Sequence, residues 1–207
     1  MDKKELIIQR SYDLFEQYGV IRVTMDLIAD KCGISKKTIY KYFENKDDLL
    51  HQVVKIKAQE LYDELADYSK TYPNALQAIQ AFLGRTYYVF TNTFLNFIRD
   101  LKRFHSDSYQ LIMDLREDLM LSFIEENITQ GKQIGIYRID LNASQLSKSY
   151  NRIFMALLSK GMNINSECNM HPIAFLNQLF IYRLLSDDGL KVWNSKDYSQ
   201  ENSMMCG

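Results

Sequence analysis

Glycine, proline and cysteine are scarce in this chain: eight, two and three among 207 residues. Glycine and proline together make up about 5% of the sequence, against the ~12% of ordinary proteins, which excludes collagen-like and low-complexity chains and argues against a turn-rich all-β fold. The cysteines, Cys32, Cys168 and Cys206, lie far apart, and their odd number leaves one over in any disulfide scheme. A reducing compartment is the expectation. Long hydrophobic runs are missing too. The longest, such as Tyr87–Phe90 and Phe154–Leu158, fall far short of the ~20 residues that a membrane span needs. The first ten residues carry charges every few positions, with no apolar stretch long enough for a signal peptide. Nor is one sign of charge in excess: 25 Lys+Arg stand against 26 Asp+Glu, a net −1, which excludes a uniformly basic nucleic-acid coat but not a local basic face. The expectation is a soluble, cytoplasmic, all-α protein with no membrane partner, long enough to bury a core without disulfide or metal staples.

What is present is helical periodicity. Ile7, Ser11, Leu14, Phe15 and Tyr18 recur at three- and four-residue spacing, predicting a first helix over Lys3–Tyr18 that stops at Gly19. Thr24 is an N-cap for a short helix to about Lys31, with Asp26 in its first turn, where the helix dipole favours a negative charge. Gly33 supplies the positive φ of a sharp turn. Ser35 caps a third helix, Lys36 to about Phe43, with Ile39, Phe43 and the ring of Tyr40 or Tyr42 facing inward. Asn45 caps a long fourth segment running to Pro73, which suits the first turn of the next helix. A strongly apolar stretch, 74–102, reads as a buried helix or helix pair. Further helices are expected over Ser106–Thr129, ended by Gly131, from Asn142 or Ser144 to Leu158, closed by Gly161, and from Pro172 to Leu185, closed by Gly189. The domain reading is a three-helix head over residues 1–45, a helical body over 46–193 and a flexible tail over 194–207.

Two short capped helices around Gly33 have the length and cap placement of a helix-turn-helix, whose second helix enters the major groove with its N-terminal residues leading. Those residues are Ser35, Lys36, Lys37 and Thr38. Between Lys31 and Lys46 there are five lysines and one acid, a net +4, which leaves −5 for the other 191 residues. The charge is segregated. A lysine pair at a helix start attracts phosphate, and lysine also donates to guanine O6 or N7. Tyr40, Tyr42 and Lys46 are candidate donors to backbone phosphates, which set register rather than read sequence.

The run from Thr24 to Leu50 resembles the DNA-binding head of the TetR family of bacterial transcriptional regulators. Ile28-Ala29, Gly33-Ile34-Ser35, Thr38-Ile39-Tyr40, Tyr42-Phe43 and Lys46-Asp47-Asp48-Leu49 fall at the family's spacing. The resemblance implies that Thr24, Lys36, Lys37, Thr38, Tyr40, Tyr42 and Lys46 occupy DNA-contacting positions. The sequence departs at Met25, where the family commonly has a polar or basic residue, and at Cys32, which replaces a small apolar residue and reads as core filling.

The resemblance also implies a body that senses a ligand and dimerises. Tyr150, Phe154, Leu157, Phe175, Leu179 and Phe180 are the expected homodimer face, and a dimer would place two heads on the halves of a palindromic operator. Body aromatics, with Phe90, Phe94, Tyr109 and Phe123 as the candidate walls, suggest a pocket for an apolar or aromatic small-molecule inducer. The expected function is therefore a ligand-responsive regulator, most simply a repressor; the alternative is a body that binds a protein partner. A helical-bundle enzyme is the reading from another class. His51, His105 and His171 are scattered, no nucleophile–base spacing or phosphate-cradling glycine loop is present, and no catalytic residue or cofactor is expected. Cys168 and His171 make only half a metal site, as do Asp48 and His51, and no metal is expected.

Overall fold

The computed structural model describes residues 2–89, 95–159 and 171–195. Phe90, Phe94, Gly161, Cys168 and nearly all of the expected tail lie outside them. Eleven helices are seen among the described residues: α1 (Lys3–Tyr18), α2 (Met25–Cys32), α3 (Lys36–Ile39), α4 (Lys46–Ala66), α5 (Tyr68–Thr71), α6 (Ala75–Tyr88), α7 (Leu95–Phe104), α8 (Ser106–Gln133), α9 (Ala143–Ser159), α10 (Pro172–Leu184) and α11 (Asp187–Trp193). They form two compact units, divided within α4 between Asp63 and Glu64 and within α8 between Arg116 and Glu117.

The first unit contains α1–α3, most of α4, α7 and α8 as far as Arg116. Local chemistry sets its helix starts. Asp2 and Glu5 form a capping box on α1, Thr24 Oγ1 accepts the Leu27 N–H, Ser35 Oγ accepts the Thr38 N–H and Asn45 Oδ1 accepts the Asp48 N–H. Gly33 ends α2 in the left-handed region at φ 66°, where a side chain would be strained. The core joins Ile7, Phe15, Ile28, Ile39, Phe43, Leu49 and Val53 to Phe97 and Leu101 of α7. Phe15 and Phe97 stack with centroids 6.3 Å apart. The helical head is thus built on packing that includes a segment about sixty residues downstream of α3. The expected third helix is shorter than its apolar period suggests: α3 ends at Ile39, and residues 40–42 form a turn in which the Tyr42 N–H bonds the Ile39 carbonyl at 2.9 Å.

The second unit contains α5, α6, the rest of α8 and α9–α11. Pro73 precedes α6 rather than opening it, because Asn74 is the cap, accepting the Leu76 and Gln77 N–H groups at 3.0 Å. Gly131 does not stop α8. It lies inside the helix, where a Cβ would come within 2.0 Å of the Tyr137 ring, and the positive φ of 76° falls at Gly135 instead. Gly189 likewise sits within α11, a helix the sequence reading omits, because a Cβ there would meet the Ile136 carbonyl oxygen at 2.1 Å. Asn142 caps α9 through the Gln145 N–H at 3.0 Å, which settles the choice between Asn142 and Ser144. Tyr137 Oη donates within a buried group that includes Asn127 and the Ala75 carbonyl, while Tyr150 Oη donates to Asn177 Oδ1 at 2.6 Å. Phe82 and Phe123 stack at 3.9 Å, so the core of this unit is rich in aromatic contact and satisfied polar groups.

Candidate nucleic-acid interface

The α2–α3 pair puts its apolar residues inward and its charges outward. Met25, Ile28 and Ala29 of α2, with Ile39 of α3, are buried, whereas Ser35, Lys36, Lys37, Tyr40 and Lys41 are exposed. Met25 is therefore a core residue of α2, consistent with the departure at that position. Tyr42 is half-buried with its ring 6.5 Å from Phe43, and Tyr40 is the outward one of the two tyrosines. Cys32 is half-buried and reduced, and burial pushes its thiol above the ordinary value.

Several of the sequence-selected head residues have partners in the free protein. Thr24 and Ser35 are spent on capping, and Ser35 Oγ also lies 2.9 Å from Thr38 Oγ1. Lys36 Nζ donates to Asp26 Oδ2 at 2.8 Å, linking the start of α3 to the start of α2; that hydrogen bond raises the lysine above its ordinary value. Lys37 makes no ion pair among the described residues. Lys46 is half-buried and donates to the Val20 carbonyl at 2.6 Å; burial lowers it below the usual lysine value. The Val20 N–H in turn is taken by Asp100 of α7 at 2.9 Å. The sequence reading missed Asp26 and Asp100, since both act through residues remote in sequence.

The expected pocket and interface residues scatter. Tyr109 belongs to the first unit and has Lys102 5.9 Å above its ring, whereas Phe123 lies buried on Phe82 in the second; Phe90 and Phe94 are not described. Tyr150, Phe154 and Phe180 are interior side chains of the second unit, with Tyr150 and Phe180 centroids 4.7 Å apart. Phe175 and Leu179 are exposed by 52% and 51%, alongside Ile153 and Tyr182, and Leu157 is half-buried. An outward apolar face on α9 and α10 therefore exists, but it comprises only part of the expected set. Among the described residues no group of His, Cys, Asp and Glu is arranged to hold a metal, and no helix is long and apolar enough to cross a membrane.

Capped tandem helices with an exposed lysine face and a shared core define a helix-turn-helix DNA-binding protein. Residues 7–53 match the family described as bacterial regulatory proteins, tetR family. Residues 7–53 thus carry a DNA-binding head of the TetR type, and the curated relatives that the chain matches are HTH-type transcriptional regulators. Over 196 residues, covering 90% of this chain and 98% of the relative, it is 26% identical to the uncharacterised HTH-type transcriptional regulator YhgD of Bacillus subtilis (strain 168). Its fold is similar to that of a transcriptional regulator from Cytophaga hutchinsonii, with a TM-score of 0.73 and 15% identity over 88% of this chain and 98% of that one. It is also similar to reduced NemR of E. coli, with a TM-score of 0.68 and 11% identity over 89% and 98%. YhgD and the Cytophaga hutchinsonii protein are both described as transcriptional regulators.

Proposed function

We propose that the protein binds a palindromic operator in double-stranded DNA as a homodimer and acts as a repressor released by a small apolar or aromatic molecule. The observation that carries the DNA reading is the +4 segment, Lys31–Lys46, whose Lys36, Lys37 and Lys41 stand exposed above a core of Ile28, Ile39 and Phe43. With α3 in the major groove, Lys36 and Thr38 face base edges. Lys37, Tyr40 and Tyr42 reach phosphates, and Thr24 and Ser35 present their helix starts to the backbone. Lys46 keeps two ammonium protons beyond the one given to Val20, and these are available to a phosphate.

The outward face supports dimerisation. Phe175 and Leu179 with Ile153 and Tyr182 present apolar surface on two helices, a pattern suited to pairing with its own copy across a two-fold axis. Two heads about 34–36 Å apart, or a multiple of that, then meet successive half-sites. An inducer would act by preferring a head spacing that does not fit DNA, transmitted through the tilt of α4. The aromatic content of the second unit supports an apolar or aromatic inducer over a highly charged one.

Sedimentation of wild-type protein and of Leu179→Glu tests the assembly. The reading expects a wild-type dimer, a variant shifted towards monomer, and operator affinity reduced in step. A wild-type monomer that binds a single, unrepeated site would contradict it. For the inducer, thermal-shift screening with aromatic ligands is expected to raise Tm for a subset, and those ligands should release DNA; stabilisation by none would favour a protein partner.

A further inference from the structure

Asp26 stands in the first turn of α2, where the helix dipole favours its charge, but that does not account for its bond to the next helix. Thr24 caps α2 and the other well-placed head carboxylates are committed to backbone: Asp2 at the start of α1, Asp48 to the Glu44 N–H and Asp100 to the Val20 N–H. Asp26 is exposed, and among the described residues its hydrogen-bond partner is Lys36, ten positions away on the next helix. Lys36 is the leading residue of α3, where an unattached lysine would swing to the nearest phosphate. A free ammonium on a four-carbon stem is a compact point charge with wide reach, and phosphate contacts carry no sequence information. Exposed ion pairs contribute little to stability, so folding does not account for the pair either.

We propose that Asp26 is a positioning residue for DNA specificity: it holds the Lys36 ammonium in one place so that it addresses a base edge, and withholds that charge from generic phosphate binding. The inference rests on the reading of α3 as the recognition helix. Lys37 and Lys41, with no ion pair among the described residues, supply the sequence-independent attraction, while Lys36, neutralised by its partner, supplies discrimination. Asp26 also places a negative charge beside the groove, which repels a phosphate from the Lys36 position.

The test uses the purified full chain and a randomised duplex pool, selected in parallel by wild type, Asp26→Asn, Asp26→Glu, Lys36→Ala, Lys37→Ala and the Asp26→Asn/Lys36→Ala double variant. Base preferences of the selected pools are read together with affinity for unselected duplex as a function of salt. In Lys36→Ala the preference that depends on Lys36 flattens. Asp26→Asn is expected to flatten that same position by about tenfold in base ratio. It also tightens binding to unselected duplex several-fold and steepens the salt dependence by about one counterion. Asp26→Glu retains the wild-type preference, and adding Asp26→Asn to Lys36→Ala changes base preference no further. A wild-type preference in Asp26→Asn overturns the role of Asp26, provided that Lys36→Ala and Lys37→Ala weaken binding. If those two lysine variants bind and select as wild type does, the orientation of α3 itself is wrong.

Discussion

Asp100 on α7 accepts the backbone N–H of Val20 at 2.9 Å, across 80 residues of sequence. The same oxygen lies 3.4 Å from the Ile21 nitrogen, whose N–H it also accepts, and the Val20 carbonyl on the other side is taken by Lys46 of α4. The α1–α2 loop is therefore held at Val20 and Ile21 by side chains from two later helices, and the position of α2 depends on both. Removing the carboxylate leaves a backbone donor without its charge-assisted partner. Asp100→Ala is expected to lower stability by about 1–3 kcal/mol in urea denaturation. Asp100→Asn, which keeps an acceptor oxygen, should lose less. Equal stability of Asp100→Ala and wild type would show that the loop is anchored elsewhere.

Gly131→Ala is a test whose ordinary sign is reversed. Alanine in a helix is normally better than glycine by about 1 kcal/mol. Here the new methyl would come within 2.0 Å of the Tyr137 ring, which is buried and hydrogen-bonded through its hydroxyl, so the ring has little room to retreat. The prediction is a net loss of about 1–3 kcal/mol by overpacking, seen as a lower Tm. A stabilised variant would contradict the packing of Tyr137 against α8.

Acid should weaken the head through Asp48. Its carboxylate accepts from the Gln52 side chain and from the Glu44 N–H, and these bonds hold it below its ordinary 3.8. A carboxyl depressed in the folded state contributes stability that is complete well above the unfolded value. That contribution is lost as pH falls through 3.8 towards the lower folded value. Glu64, held down first by its hydrogen bond from Arg85, behaves in the same direction. Denaturation measured from pH 6 to pH 3 is expected to show falling stability in wild type and a shallower fall in Asp48→Asn. Parallel slopes would exclude Asp48 as a contributor.

Two head substitutions separate reading from positioning. Lys36→Ala should weaken the selected site and relax one base position. Tyr42→Phe should weaken all sequences alike, because loss of a phosphate donor carries no base information. Filter binding to the selected site and to single-base variants measures both, and unchanged affinity in the two variants would contradict the orientation proposed for α3.

The parts of the molecule legible in the sequence are those set by local chemistry. Thr24, Ser35 and Asn45 cap their helices through N–H groups three residues on, and α1 runs from Lys3 to Tyr18 as its periodicity predicts. The +4 segment was equally readable, because its residues are contiguous. Where the partner is distant, the pattern misleads. Gly131 and Gly189 resemble helix stops, yet their lack of a Cβ serves the Tyr137 ring and the Ile136 carbonyl. Tyr150 and Phe154 on α9 and Phe180 on α10 are buried while Phe175 and Leu179 on α10 are exposed, and periodicity alone does not separate side chains buried in their own unit from those left outward. Asp26 and Asp100 were invisible as functional residues for the same reason: a carboxylate's role is set by the group it meets in space.

The most direct test of the account is selection of genomic duplex fragments by the purified full chain, repeated at low and physiological salt. The account predicts one enriched palindrome whose half-sites are centred about 10–10.5 base pairs apart or a multiple of that, with affinity falling steeply as salt rises. Enrichment of no sequence, or of a single unrepeated element with weak salt dependence, would contradict it.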